Sequence, residues 1–201
     1  MFYTPQDGHP FRHNPFKALV APRPIGWIAT RDTCGAENLA PYSFFNAVSD
    51  EPLIVMFSSG GEKDSLTFAR DSGCFVAHSV SEAMFDTMNQ SSATYPRGVS
   101  EIAATGLQSV DAEKVNAPRL VDAPSALECV VTQVQQPIDR DGKASSYWMV
   151  FGEVVGVHIH EDYLTEAGRF DSTKAALMAR CGYLDYAVAD HIVEKKRPKQ
   201  P

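Results

Sequence analysis

The sequence predicts a mainly β domain, a barrel with short helices inserted into it, and three observations carry that expectation. Short runs of branched and aromatic residues recur along the chain, each bounded by Gly, Pro or Asp turns, as half-buried strands require. The helical stretches do not alternate strictly with the strands, which argues against a doubly wound parallel sheet. The 201 residues, 44% of them hydrophobic, suffice for one core, and no internal repeat or low-complexity linker divides them. One domain over 1–201 is expected.

"PIGWIAT" (24–30) reads as the first strand, with Ile25, Trp27 and Ala29 on one face and Gly26, Ile28 and Thr30 on the other. "RDTCGAEN" (31–38) has the Asp and Gly of a hairpin loop. "NLAPYSFFNAVSDEP" (38–52) follows as the return strand, although a strand built only to fill a core would prefer branched aliphatics and would not place Pro41 in its middle. "LIVMFSS" (53–59) reads as a strand buried on both faces. "GGEKDSLTFARDSG" (60–73) is a glycine turn feeding a short helix, with Asp64 or Ser65 as N-cap and Gly73 as stop.

"CFVAHSV" (74–80) returns to strand, and "SEAMFDTMNQSS" (81–92) is helical, with Met84 and Met88 one turn apart and turned to the core. Residues 93–119 read as loop and short helix. "ALECVVTQVQQPI" (126–138) alternates, with Leu127, Cys129 and Val131 on one side, and "DRDGK" (139–143) turns the chain. "SYWMVFGEVVGVHIH" (146–160) is a long strand in which Gly152 and Gly156 mark bends or a bulge. One or two short helical pieces are expected around "DSTKAALMARCGYLDYAVA" (171–189).

Charge and composition exclude several classes. A net charge of -7 leaves no basic footprint for nucleic acid. The tail "EKKRPKQP" (194–201) is the exception, and it reads as a solvated, frayed terminus. Four cysteines lack CxxC spacing, so no zinc or redox motif is expected, and Cys74 and Cys129 read as buried core residues. No apolar run has signal-peptide or membrane-spanning length, and a cytoplasmic protein with no membrane partner is the expectation.

No GxGxxG, P-loop, GxSxG or HExxH pattern is present. The best anion site lies in "GGEKDSLTF": Lys63 brings a cation, Ser65 and Thr67 bring hydroxyls, and a helix start aims unbonded N–H groups outward. The same residues suit an ordinary capped surface helix. His158 and His160 share a strand face, as metal binding could require, but no third ligand is evident nearby except Glu161 or Asp162, so a surface or barrel-end role is the better reading. His78, in an apolar strand, reads as a satisfied core histidine, and Arg180 as the basic end of a helix.

The segment order "APRPIGWIATRDTCGAENLAPYSFFNAVSDEPLIVMFSS…KDSLTFARDSGCFVAHSV", with "LECVVTQV", "FGEVVGVHIHEDYL" and "RCGYLDYA" after it, closely resembles the flavin reductase-like, FMN-binding split-barrel family, over about residues 15–190. That family includes NAD(P)H:flavin oxidoreductases and flavoredoxins. The resemblance implies a six-stranded Greek-key barrel with inserted short helices, a homodimer, and FMN in a groove at the dimer interface. It further implies that Thr30 borders the flavin, Asn38 holds the hairpin, and Ala40, Pro41, Tyr42, Ser43 and Phe44 line the ring and ribityl chain. Ser58, Ser59, Lys63, Asp64, Ser65 and Thr67 would surround the ribityl and phosphate. Arg180 and Tyr186 would face the flavin, with Arg23 a further cation near the phosphate. No catalytic side-chain acid or base and no metal is implied.

At the close of the pattern the family usually has a Gly, followed in many members by a His, where this chain has Tyr183 and Leu184. Two activities follow from the resemblance. One is hydride transfer from NAD(P)H to the flavin, with a monooxygenase or redox protein as a partner. The other is a flavoredoxin-like FMN carrier reduced by a protein, and the Tyr183–Leu184 departure favours it.

Overall fold

A computed structural model describes residues 1–96 and 98–198, so the reading of the basic tail lies outside the described residues for 199–201; residues 194–198 are exposed and irregular. The elements run α1 (Phe16–Leu19), β1 (Arg23–Pro24), β2 (Gly26–Arg31), β3 (Glu37–Tyr42), β4 (Phe45–Asp50), β5 (Leu53–Gly60), α2 (Asp64–Ser72) and β6 (Cys74–His78). A 3-10 turn at Glu82–Met84 leads into α3 (Phe85–Ser91), followed by α4 (Glu101–Thr105), β7 (Ser109–Asp111) and β8 (Pro118–Leu120). β9 (Ser125–Gln135), β10 (Tyr147–Ile159), α5 (Ser172–Ala175), β11 (Leu177–Arg180) and β12 (Tyr186–Ala189) complete the chain.

A seven-stranded antiparallel sheet carries the fold, in the order β3-β2-β6-β9-β10-β5-β4. Its two edges, β3 and β4, are consecutive in the chain and only Ser43 and Phe44 separate them. Two residues span less than about 11 Å between their neighbours, so the sheet must curl until its edges meet. The Ser58 N–H donates to the Phe44 carbonyl at 2.8 Å, which extends the β4–β5 ladder into that two-residue connection. Residues 38–52 are therefore two edge strands instead of the single return strand expected. The Leu39 N–H points outward, to a Glu101 carboxylate oxygen at 2.9 Å, so the position of the N–H that Pro41 lacks also faces away from β2. An edge strand tolerates proline on that side.

The curl encloses one cluster of Ile28, Phe57, Leu66, Phe75, Cys129 and Val150. The other face of β2 and β6 buries Trp27, Ala29 and Val76 against Met84, Met88, Ile102, Leu120 and Met178. Both faces of the first strand are thus covered, with its residues divided between the faces as its sequence predicts, and the Met pair is core. Trp27 Nε1–H donates to Ser91 Oγ at 2.9 Å inside this second cluster.

Three local expectations need correction. β5 alternates: Val55, Phe57 and Ser59 are buried, whereas Ile54, Met56 and Ser58 are half-buried and Leu53 is exposed. A strand next to the sheet edge has only its inner face covered, although its outer face is apolar too. The N-cap of α2 is Lys63, with no side-chain cap bond; Gly73 does stop the helix, in the left-handed conformation, with its N–H on the Ala69 carbonyl. Residues 171–189 contain one helical turn and then a hairpin, β11–β12, whose first strand pairs with β1. The Ala-rich "KAALMAR" has helix propensity, but pairing with β1 and β12 outweighs that weak preference. Arg180 accordingly sits on a strand and not at a helix end.

The predicted bends in β10 are real: the register with β9 shifts at Phe151/Gly152 and at Val154/Gly156. Opposite them lies Glu128, fully buried, whose carboxylate accepts the Glu113 N–H at 2.9 Å, the Lys114 N–H at 2.6 Å and His158 Nε2 at 2.5 Å. Burial pushes this carboxyl's pKa up, but the three donors outweigh that and leave it below the ordinary range. His158 is thereby a partner of a buried acid, and among the described residues no group of His, Cys, Asp and Glu is placed to hold a metal.

Candidate functional site

The outer side of β3 forms the floor of a trough. One end, a cavity of about 330 Å³, lies between Asn38–Tyr42, the start of α2 at Lys63–Ser65, and Ser91–Tyr95. The other, about 410 Å³, lies between Pro41, Ser43, Lys17, Arg23 and the β11–β12 turn. The two run together at Pro41 and Ser92. Local sequence explains the shape: α2 must start here because Gly60 and Gly61 turn the chain off β5, and Ser91 ends α3 where Trp27 anchors it.

Of the sequence-predicted residues, Asn38, Ala40, Pro41, Tyr42, Lys63, Asp64 and Ser65 line the first end, and Pro41, Ser43, Arg180 and Tyr186 line the second. Asn38 is buried and donates to Ser65 Oγ at 2.7 Å, tying the hairpin to the helix start. Thr30 is fully buried behind it, 3.5 Å from Asn38 Nδ2, and does not reach the trough. Ser59 is also buried, with its hydroxyl on the Gly61 carbonyl at 2.9 Å. Phe44 and Ser58 lie at the barrel seam; Phe44 packs on Tyr147, with ring centroids 5.8 Å apart, and walls a neighbouring depression. Within one chain, these four stand outside the trough.

Lys17, Asn89, Ser92, Thr94, Tyr95 and Glu101 line the trough and were not singled out by sequence. Most lie at the ends of short helices in the region whose periodicity is weakest, so no local pattern marks them. Burial pushes the Tyr42 hydroxyl above its ordinary pKa, against hydrogen bonds from Ser65 and Ser59, so it stays a neutral phenol. Burial likewise raises the Glu101 carboxyl, opposed by the Leu39 N–H. The two ends differ in charge: Asp64 and Glu101 accompany Lys63 at the first, whereas no carboxylate lines the second.

A family model described as the flavin reductase like domain matches residues 19–178, which includes β1 to β10 and most of the trough. The chain belongs to this family. An uncharacterized protein of Deinococcus radiodurans is 35% identical over 175 residues, 83% of this chain and 74% of that protein. Among solved structures, nitrilotriacetate monooxygenase component B from Bacillus cereus superposes with a TM-score of 0.85 at 25% identity, covering 97% of this chain and 98% of that one. The 2-nitrobenzoate 2-nitroreductase of Pseudomonas fluorescens gives 0.79 at 28% identity, covering 91% and 88%. The fold is the split barrel that the resemblance implied, with seven strands in the main sheet where six were expected.

The departure of this flavin reductase-like chain at Tyr183 has a backbone signature. Tyr183 has φ +52, the left-handed region, which costs a residue with a Cβ about 1 kcal/mol relative to glycine. Its ring is half-exposed and makes one edge contact, with His13 at 6.0 Å. Tyr183→Gly is therefore expected to raise stability by about 0.5 kcal/mol in urea denaturation, the relief of strain exceeding the lost contact. A loss greater than about 1 kcal/mol would show that the ring is structural.

Proposed function

We propose that the trough binds FMN, that the protein is an oxidoreductase drawing electrons from NAD(P)H, and that it works as a homodimer. The observation that carries this reading is the continuity of the trough: small residues on an edge strand lead directly to a lysine and a hydroxyl at a helix start. Ala40 and Ser43 permit close approach of a flat ring, and Pro41 leaves no N–H on the outward side to be desolvated without a partner. At the far end, Lys63, the Ser65 hydroxyl and the start of α2, whose N-cap makes no side-chain bond, suit a phosphate. Asn38 holds that hydroxyl in place through its 2.7 Å bond.

Bound there, FMN would supply the redox chemistry, accepting a hydride at its ring. The chain's own part is positional: to hold the phosphate, keep the ring against β3 and exclude water. No side chain need move a proton, in keeping with a neutral Tyr42. Membership of the flavin reductase like domain family supports the oxidoreductase reading. The likeness to a monooxygenase component supports a monooxygenase or other redox protein as acceptor. For the homodimer, support comes from apolar residues left exposed on β5 and β10: Leu53, Val155, Val157 and Ile159. A second copy covering them would also bring Phe44 and Ser58 nearer a shared groove.

The second reading, an FMN carrier reduced by a protein and not by a nicotinamide, is favoured by Tyr183, which borders the cavity where a second ring would enter. One set of measurements separates the two. The purified protein is expected to bind FMN, and NADH or NADPH is expected to bleach it anaerobically. A yellow protein inert to both nicotinamides yet reduced by dithionite selects the carrier; failure to bind FMN removes both. Lys63→Ala is expected to weaken FMN about tenfold and riboflavin less than twofold, because only FMN carries the phosphate. Equal losses for the two ligands would take Lys63 out of the phosphate role.

A further inference from the structure

We infer that the Lys17–Arg23–Arg180 end of the trough is a second anion receptor, which takes the carboxylate or phosphate of the molecule that exchanges electrons with the flavin. The inference rests on the reading that the Lys63 end holds the flavin phosphate. It begins with strand register. Arg23 on β1 and Arg180 on β11 are direct partners across an antiparallel pair, where like charges repel. Both line the 410 Å³ cavity, Lys17 lines it too, and no Asp or Glu does. Among the described residues none of these three cations forms an ion pair. In a chain of net charge -7 such a concentration of unpaired positive charge is unusual.

Arg23 is the buried member, 7% exposed. One guanidinium nitrogen, Nη1, donates to the Lys17 and Val20 carbonyls, which fixes the group, but Nε is buried without a hydrogen-bond partner. A buried guanidinium with an unused donor is costly unless something accepts from it. Burial, then the charge of Arg180, holds the Arg23 pKa below its ordinary value, which is the electrostatic trace of a missing counter-charge.

Arg180 is pre-positioned from the other side. Its Nη2 donates to the Tyr183 carbonyl at 2.5 Å, and its guanidinium lies 4.2 Å from the Tyr186 ring centroid. Phe44 lies 5.9 Å from Lys17 Nζ and 5.8 Å from the Arg23 guanidinium, which eases the repulsion without supplying an acceptor. Two held guanidiniums and an ammonium match a group with two or three anionic oxygens, as a carboxylate or phosphate presents. The cavity is large enough for the ligand part attached to that group. The left-handed Tyr183 matters here for a second reason: its backbone carbonyl holds Arg180 in place.

The test uses the FMN-loaded chain with inorganic pyrophosphate and benzoate as probes, titrated by calorimetry at low ionic strength. At least one probe is expected to bind, and Arg180→Gln and Lys17→Gln are each expected to lower its affinity about tenfold. The FMN-to-riboflavin affinity ratio is expected to change less than twofold in both variants. Pyrophosphate binding points to a phosphate-bearing reductant, and benzoate binding to an acidic acceptor. Absence of binding by either probe overturns the inference, as does wild-type affinity in both variants. A selective loss of FMN over riboflavin in Arg180→Gln also overturns it, since the pocket would then hold the flavin's own phosphate. Should the chain take no FMN at all, the flavin reading fails, and the same titrations on the flavin-free protein still decide whether the pocket receives anions. Lys17 is exposed on its short helix, so its variant leaves the fold intact and keeps the test decisive.

Discussion

Between pH 7 and pH 4 the protein is expected to lose about 3 kcal/mol of folding stability to one histidine, His78. Its side chain is 1% exposed at the end of β6, and both ring nitrogens are engaged. Nδ1 lies 2.9 Å from the Trp27 carbonyl and must carry the proton to donate to it; Nε2, at 3.0 Å from the Leu120 N–H, must then accept. Protonating Nε2 would set two donors against each other in a dry site. Burial accordingly pulls the pKa down from 6.5 to about 4, with the charges of Arg119 and His158 adding to the shift.

The unfolded chain binds this proton near pH 6.5 and the folded one only near pH 4. The stabilisation is therefore complete above pH 6.5 and is lost as pH falls toward 4, at up to about 1.4 kcal/mol per unit. Glu128 adds its own loss further down, below the ordinary glutamate range, because its folded pKa is depressed. Urea denaturation at pH 7, 6, 5 and 4 reads the slope directly. In His78→Gln the slope above pH 5 should fall by about one proton, whatever the variant's absolute stability. An unchanged slope would mean that another group carries the acid loss.

His78 also shows what was legible in the sequence and what was not. An isolated histidine in "CFVAHSV" reads as a satisfied core residue, and it is one. Its second partner, Leu120, ends β8 just past the stretch 93–119, which has no usable period because its helices and strands are three to five residues long. Glu128 fails for a related reason. Alternation in "ALECVV" puts it opposite Leu127 and Cys129, a position normally wet, but the loop at Glu113–Lys114 folds over that face and supplies two N–H donors from distant sequence. Pattern reports which residues share a face; it does not report what later covers that face.

The same limit shaped the reading of the trough. Asn38–Ser43 and Lys63–Ser65 carry composition that only a ligand or an edge explains, so they stand out. Arg180 stands out through resemblance, yet its strand does not, since "KAALMAR" reads as helix until β1 is available to pair with it. Lys17 and Ser92 carry no signal at all: each is an ordinary surface residue brought to the trough by tertiary packing. The repulsive Arg23–Arg180 pair is invisible without the register between β1 and β11.

Gly152→Ala is expected to cost about 3 kcal/mol, the upper part of the usual range for overpacking, and Gly156→Ala less than about 1 kcal/mol. The two glycines sit four residues apart on the same bent strand, so the contrast isolates packing from strand propensity. A Cβ at Gly152 would stand 2.5 Å from Phe75 Cε1, 2.6 Å from its Cζ and 2.8 Å from Cys129 Cβ. Phe75 cannot swing aside easily: it is fully buried and meets Phe57 edge-on at 5.2 Å in the middle of the barrel. Cys129 Cβ moves only with the backbone of β9. At Gly156 the nearest atom is Glu128 Cβ at 3.3 Å, which asks for a few tenths of an ångström, and alanine there recovers part of glycine's entropy cost. The glycine at 152 therefore lets β10 press against β9 and β6 tightly enough for a seven-stranded sheet to bring its edges together at Ser43–Phe44. The trough floor is one of those edges, so Gly152→Ala should also loosen the proposed FMN site. A Gly152→Ala chain as stable as the wild type in urea would mean that the barrel interior has room the structure does not show. A Gly156→Ala chain equally damaged would mean that the bend, and not the packing, sets the cost.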